Sequence, residues 1–131
     1  MKLEGEMKET TITKENINKM VMKFYIRILN EDTEVSKVFK IKLGNDIKSA
    51  QWKKHTDLLT DFWAMIALRD LTYQGNPMMP HFDMGLTREM FPIWLTIFFE
   101  TVDSIYEDEV AIVFKSRAEN IAGNFMRNLG L

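Results

Sequence analysis

Ser49-Ala-Gln-Trp52-Lys53-Lys54-His55-Thr-Asp57-Leu-Leu59-Thr-Asp61-Phe62-Trp63-Ala-Met-Ile66-Ala-Leu68 contains neither glycine nor proline. Trp52, His55, Leu59, Phe62 and Ile66 recur at steps of three or four residues, so on a helix they share one stripe. Asp57 and Asp61 lie off it. The stretch therefore predicts a helix of about five turns with one apolar side. An imidazole sits in the middle of that side.

The same period recurs on both flanks. Upstream, Lys14 to Leu29 carries Ile17, Met20, Val21, Phe24, Tyr25 and Ile28 on one side, with Thr13 placed to cap it and Glu15 in its first turn. Downstream, a third helix begins near Thr87 and carries Phe91, Trp94, Phe98, Val102 and Ile105. A fourth begins near Asp108 and carries Val110, Phe114, Ala118, Ile121 and Phe125. Pro92 is tolerable only in the first turn of the third helix, since proline lacks a backbone donor. Val38 to Gly44 reads as a connection, with Phe39 as its aromatic. Leu71 to Leu86 holds Gly75, Pro77, Pro80 and Gly85, which leave room for at most one helical turn near Pro80–Met84. No segment alternates with period two, so the expected fold class is all-α without strands.

A chain of 131 residues with 46% apolar content predicts one domain over 1–131, with 1–12 as a polar N-terminal extension. The net charge of −2 gives no reason to expect nucleic acid or an anionic membrane as partner. The absence of cysteine excludes disulfides, zinc ribbons, cysteine-held iron–sulfur clusters, a cysteine nucleophile and thioether-linked haem. The opening MKLEGEMKET has no apolar signal core. The most apolar run, Phe91 to Phe99, is about half the ~20 residues of a spanning helix. A soluble cytoplasmic protein is the expectation.

The chemistry-bearing candidates are few. The chain has two histidines, His55 on the apolar stripe and His81 in the proline-flanked segment. Tyr25 and Trp94 lie on the buried sides of their helices, and each carries a polar hydrogen that wants a partner. The residues alone leave two readings open. In one, His55 is a core histidine with an ordinary hydrogen bond, His81 is a surface one, and the aromatics are plain core. In the other, Tyr25, His55 and Trp94 converge on one polar spot inside an apolar box rich in phenylalanine and methionine. A haem asks for such a box: a flat apolar slot, one neutral imidazole for the iron, and a polar handful opposite.

The ordered landmarks resemble the truncated haemoglobins, most of all group III. They are Phe24-Tyr25, then Phe39, then Trp52-Lys53-Lys54-His55, then Phe62-Trp63. Tyr73-Gln74-Gly75-Asn76-Pro77, a lone His81 and Phe91-Pro92-Ile93-Trp94-Leu95 follow. The likeness runs from about Thr11 to Leu129. It implies a two-over-two helical sandwich around non-covalent haem b, with His81 as proximal iron ligand. It further implies Tyr25, His55 and Trp94 on the distal side, Phe39 packed on the haem face, and Phe62, Trp63 and Phe91 lining the pocket. Members of the family often carry a basic residue just before the proximal histidine, whereas this chain has Met78-Met79-Pro80. Lys53, Lys54 and Arg88 are therefore the candidates for the haem propionates.

The resemblance implies a protein for dioxygen and other small diatomic ligands at a five-coordinate iron. Its role is expected in redox chemistry or detoxification more than bulk transport. His55 would bond the ligand, gate the pocket or ligate iron itself. Two alternatives stand beside this reading. One is a peroxidase-like or nitric-oxide-dioxygenating haem enzyme, fed by a separate reductase since no reductase domain is present. The other is a haem-free helical interaction module.

Overall fold

The computed structural model describes residues 7–70, 73 and 85–131. Among them are five helices and no strand: α1 (Lys14–Asn30), α2 (Glu34–Leu43), α3 (Ala50–Leu68), α4 (Met90–Ile105) and α5 (Asp108–Asn128). None is long and apolar enough to cross a membrane.

Local chemistry sets the helix ends. Thr13 Oγ1 accepts from Asn16 N at 3.1 Å, and Asn16 Oδ1 accepts from Thr13 N at 2.9 Å, so α1 opens on a reciprocal box. Thr33 caps α2 through Ser36 N, and Ser49 caps α3 through Trp52 N. α2 stops at Gly44, whose φ of 88° suits glycine. α3 stops at Arg69, which takes the left-handed conformation at φ 59°. Pro92 falls in the first turn of α4, where its missing donor costs nothing.

Val38 to Gly44 was expected as a connection; Val38 to Leu43 is instead the second half of helix α2, which ends at Gly44. Only Val35, Ser36 and Phe39 of this helix are buried, while Lys37, Lys40, Ile41 and Lys42 are exposed. So narrow an inward face leaves little periodic signal.

Two helix pairs, α1 with α3 and α4 with α5, meet through α1 packed on α4, and α2 touches both α1 and α4. Their shared core includes Met20, Phe24 and Ile28 of α1, Trp52 and Trp63 of α3, Phe98 and Val102 of α4, and Phe114 of α5. Fully burying each such side chain contributes about 1.5–3 kcal/mol or more. The α3 face includes two buried threonines. Thr60 donates to Thr56 O at 2.8 Å and accepts from Asn18 Nδ2 of α1 at 3.1 Å, so its hydroxyl is satisfied inside the core.

The N-terminal segment is partly a strap. Glu9 N donates to Ile105 O at 2.7 Å, and Glu107 N donates to Glu9 O at 3.0 Å. Tyr106, fully buried, donates its hydroxyl to Asn16 Oδ1 at 2.7 Å, while Asn16 Nδ2 donates to Thr11 O at 2.9 Å. The strap thus locks the start of α1 to the turn between α4 and α5.

Candidate functional site

Three helices bring a cluster of rings together around Tyr25. From α3, His55 meets the Tyr25 ring edge-on with centroids 5.0 Å apart. Trp52 lies 5.3 Å from Tyr25 and 5.6 Å from His55, and Phe39 of α2 lies 5.4 Å from Tyr25. Such pairings contribute about 0.5–1.5 kcal/mol each beyond area burial. Trp52 is fully buried, and its Nε1 donates to Gly44 O at 2.9 Å. That bond ties the first turn of α3 to the end of α2 and fixes the indole against which Tyr25 and His55 rest.

The polar side chains of this cluster are largely shielded from water. Tyr25 is 5% exposed, and burial alone pushes its phenol well above the usual range. Among the described residues its hydroxyl makes no hydrogen bond. His55 is half-buried, with its Nε2 buried. A buried phenol in this state is a neutral donor at any physiological pH.

Beside the cluster lies an almost wholly apolar cavity lined by Val35, Phe39, Leu86, Met90, Phe91, Trp94 and Phe125. Phe39 belongs to both features. Trp94 enters from α4, packs edge-on against Phe24 at 5.7 Å, and Phe24 in turn packs on Tyr25 at 4.9 Å. The cavity is partly open and has room amounting to about 50 Å³. What suits this cavity to a flat apolar occupant is the chemistry of its walls and not a ready-made slot.

No family model matches the chain. It is 32% identical over 124 residues to a group 3 truncated haemoglobin of Campylobacter jejuni, covering 94% of this chain and 95% of that protein. The crystal structure of a group III truncated haemoglobin from Campylobacter jejuni superposes with a TM-score of 0.86 at 31% identity. It covers 94% of this chain and 95% of its own. The chain belongs to the group 3 truncated haemoglobins.

In this globin the expected site residues fall into distinct places. Tyr25 and His55 touch, while Trp94, Phe39 and Phe91 share the cavity wall. Phe62 and Trp63 stand outside that lining. Trp63 stacks on Phe98 at 5.1 Å and meets Phe114 at 5.7 Å, and Phe62 packs on Tyr73 at 5.3 Å. Lys53 and Lys54 are exposed, and Lys53 pairs with Asp57 at 2.9 Å. Arg88 is exposed, two residues from Leu86 and Met90 of the cavity wall. His81 and the turn expected near Pro80–Met84 lie outside the described residues.

Sequence reasoning left out Trp52 as a site residue, together with Val35, Leu86, Met90 and Phe125 of the cavity wall. Trp52 stood on the same stripe as His55, one helical turn before it. That was the available signal. Its bond to Gly44 depends on how α2 ends, which the sequence did not display. Flat aromatic walls beside an unpartnered phenol and an imidazole are a set that suits a haem.

Proposed function

We propose that this globin is a cytoplasmic protein holding one non-covalent haem b, with His81 as the proximal iron ligand. Dioxygen and other diatomic ligands would bind on the side of Tyr25, His55 and Trp94. The observation that carries this reading is the buried Tyr25 side chain, its phenol held neutral and without a hydrogen bond among the described residues, beside His55 and one ring from the cavity wall. A phenol with no partner of its own is free to donate to a ligand, a bond that contributes about 0.5–1.5 kcal/mol net.

When bound, the haem supplies an iron with one open coordination position. Phe39 and Phe91 supply flat apolar walls. Tyr25 would donate a hydrogen bond to a bound ligand and Trp94 would offer a second from Nε1, while Trp52 packs against both the Tyr25 and His55 rings. A donor to a ligand that gains negative charge contributes on the order of 1–3 kcal/mol. Since about 1.4 kcal/mol is tenfold, two such donors would slow ligand escape by two or more orders of magnitude. Slow release suits redox chemistry or detoxification better than transport. Electrons would then come from a separate donor protein. Lys54 and Arg88 remain the candidates for the propionates, with Lys53 shared with Asp57.

The test is a set of ferric, ferrous and carbonmonoxy absorption spectra on the purified protein and on His81→Ala. The wild type should show a Soret band and a five-coordinate ferrous spectrum. His81→Ala should lose the native ligation pattern. A wild-type protein that gains no Soret band on adding hemin would sink the reading.

A further inference from the structure

The chain's positive charge is concentrated. Residues 37–54 hold six of its 17 basic residues and only one of its 19 acidic ones, Asp46. That stretch carries a formal +5 in a chain of net −2, leaving −7 on the rest. Lys37, Lys40, Lys42, Lys48, Lys53 and Lys54 are all exposed. Lys37 pairs with Glu34 at 3.1 Å and Lys53 with Asp57 at 2.9 Å. Lys40, Lys42, Lys48 and Lys54 have no carboxylate within ion-pair distance among the described residues. Lys40 and Lys42 also sit in the last turn of α2, where the helix dipole favours cations. The dipole accounts for those two and not for the others.

Two further observations give this patch a direction. Ile41, between Lys40 and Lys42, is 86% exposed, the largest exposure of any large apolar side chain described. On the other side of the same helix, Val35 and Phe39 line the cavity. The Trp52 bond to Gly44 holds the first turn of α3, with Lys53 and Lys54 next to it, against the end of α2. An apolar centre within a charged rim is how a transient protein interface is built. A nucleic acid or a membrane would extend past the patch and meet the negative remainder of the surface.

We infer that the face formed by α2 and the α2–α3 turn docks an acidic one-electron carrier protein. It does so with Ile41 at its centre and Lys40, Lys42 and Lys48 steering the encounter. The inference rests on the haem reading above. In the step, the reduced carrier gives up one electron, ferric iron becomes ferrous, and no atom is transferred. The lysines raise the encounter rate without changing the haem pocket, so their effect belongs to association and disappears with salt.

The probe is a reduced acidic [2Fe–2S] ferredoxin, mixed in stopped flow with the haem-loaded ferric protein while the Soret shift is followed. The bimolecular rate should fall as salt rises. At low salt, the variant Lys40→Glu/Lys42→Glu/Lys48→Glu should react about tenfold or more slowly than wild type. At high salt the two rates should converge. Ile41→Ser should weaken binding of oxidised ferredoxin, read by calorimetry. Reduction by the small neutral lumiflavin semiquinone should be the same in all variants, which shows that the haem site is intact. Equal rates for wild type and triple variant at low salt would overturn the docking face while leaving the haem reading in place. Tight salt-sensitive binding to an oligonucleotide or to anionic vesicles, with none to ferredoxin, would overturn it as well. Failure to take up hemin would overturn the haem reading instead. Calorimetry with ferredoxin would then still report on the face.

Discussion

Tyr25 and Tyr106 are both buried tyrosines, and burial raises the phenol pKa of each. Their surroundings differ. Tyr106 donates to Asn16 Oδ1, and Asn16 is itself engaged by Thr13 N, Thr11 O and Glu9. Each polar atom there has its partner, and the result is a rivet between the N-terminal strap, α1 and the α4–α5 turn. Tyr25 sits among Phe24, Phe39, Trp52 and His55, and its hydroxyl has no hydrogen bond among the described residues. The contrast separates two uses of one side chain. A satisfied buried hydroxyl contributes to stability. One left without a partner near a cavity is free to donate to a ligand.

Removing each hydroxyl should have opposite consequences. Tyr25→Phe should speed oxygen release by tenfold or more, corresponding to about 1.4 kcal/mol or more, with little change in unfolding midpoint. Stopped-flow oxygen displacement and a thermal melt measure the two. An unchanged dissociation rate would end the donor assignment. Next, Tyr106→Phe should cost about 1–3 kcal/mol of stability in denaturant titration, because it leaves Asn16 short of a partner. Its haem spectra should stay as in wild type.

The alkaline limb sharpens the comparison further. Both phenols have folded pKa values raised above the unfolded value of about 10. The folded state therefore retains protons that the unfolded chain releases above that pH. Stability should be flat below about pH 10 and fall above it by up to about 1.4 kcal/mol per pH unit for each phenol. Either Tyr→Phe variant should remove one share of that slope, read as unfolding midpoint against pH. An equal slope in wild type and both variants would show that neither phenol stays protonated by burial.

The smallest effect concerns Trp52. Trp52→Phe keeps a ring against Tyr25 and His55 but removes the donor to Gly44 O, at a cost of about 1 kcal/mol in stability. If the anchor positions the distal rings, oxygen release should change severalfold in the wild-type background and not at all in Tyr25→Phe/His55→Leu. Additive effects in that cycle would reduce Trp52 to a structural residue.

Much of this arrangement was legible beforehand. α1 carries Ile17, Met20, Phe24 and Ile28 at helical spacing, and α4 carries Phe91, Phe98, Val102 and Ile105, so both inward faces announced themselves. The meeting of Tyr25 with His55 was one of two readings that the α1 face and the Trp52–His55 stripe of α3 left open. α2 stayed hidden because its ten residues bury so few side chains and expose Ile41. No periodic signal marks Thr56 and Thr60 of α3 as core residues, because their burial depends on the bonds that the Thr60 hydroxyl makes to Thr56 O and Asn18. Trp63 shared the expected pocket motif, yet its ring turns to Phe98 and Phe114, because a residue next to Phe62 on a helix points about 100° away from it.

The stack of Trp94 on Phe98, at 5.3 Å and 4°, and of Phe98 on Trp63 has an optical consequence. The three indoles occupy distinct settings: Trp94 on the cavity wall, Trp63 deep in the packed interior, and Trp52 bonded to a backbone carbonyl. Their ultraviolet emission is thus a built-in ruler. A chromophore entering the cavity should quench Trp94 most strongly, so single-tryptophan variants would trace how the pocket fills without reference to iron.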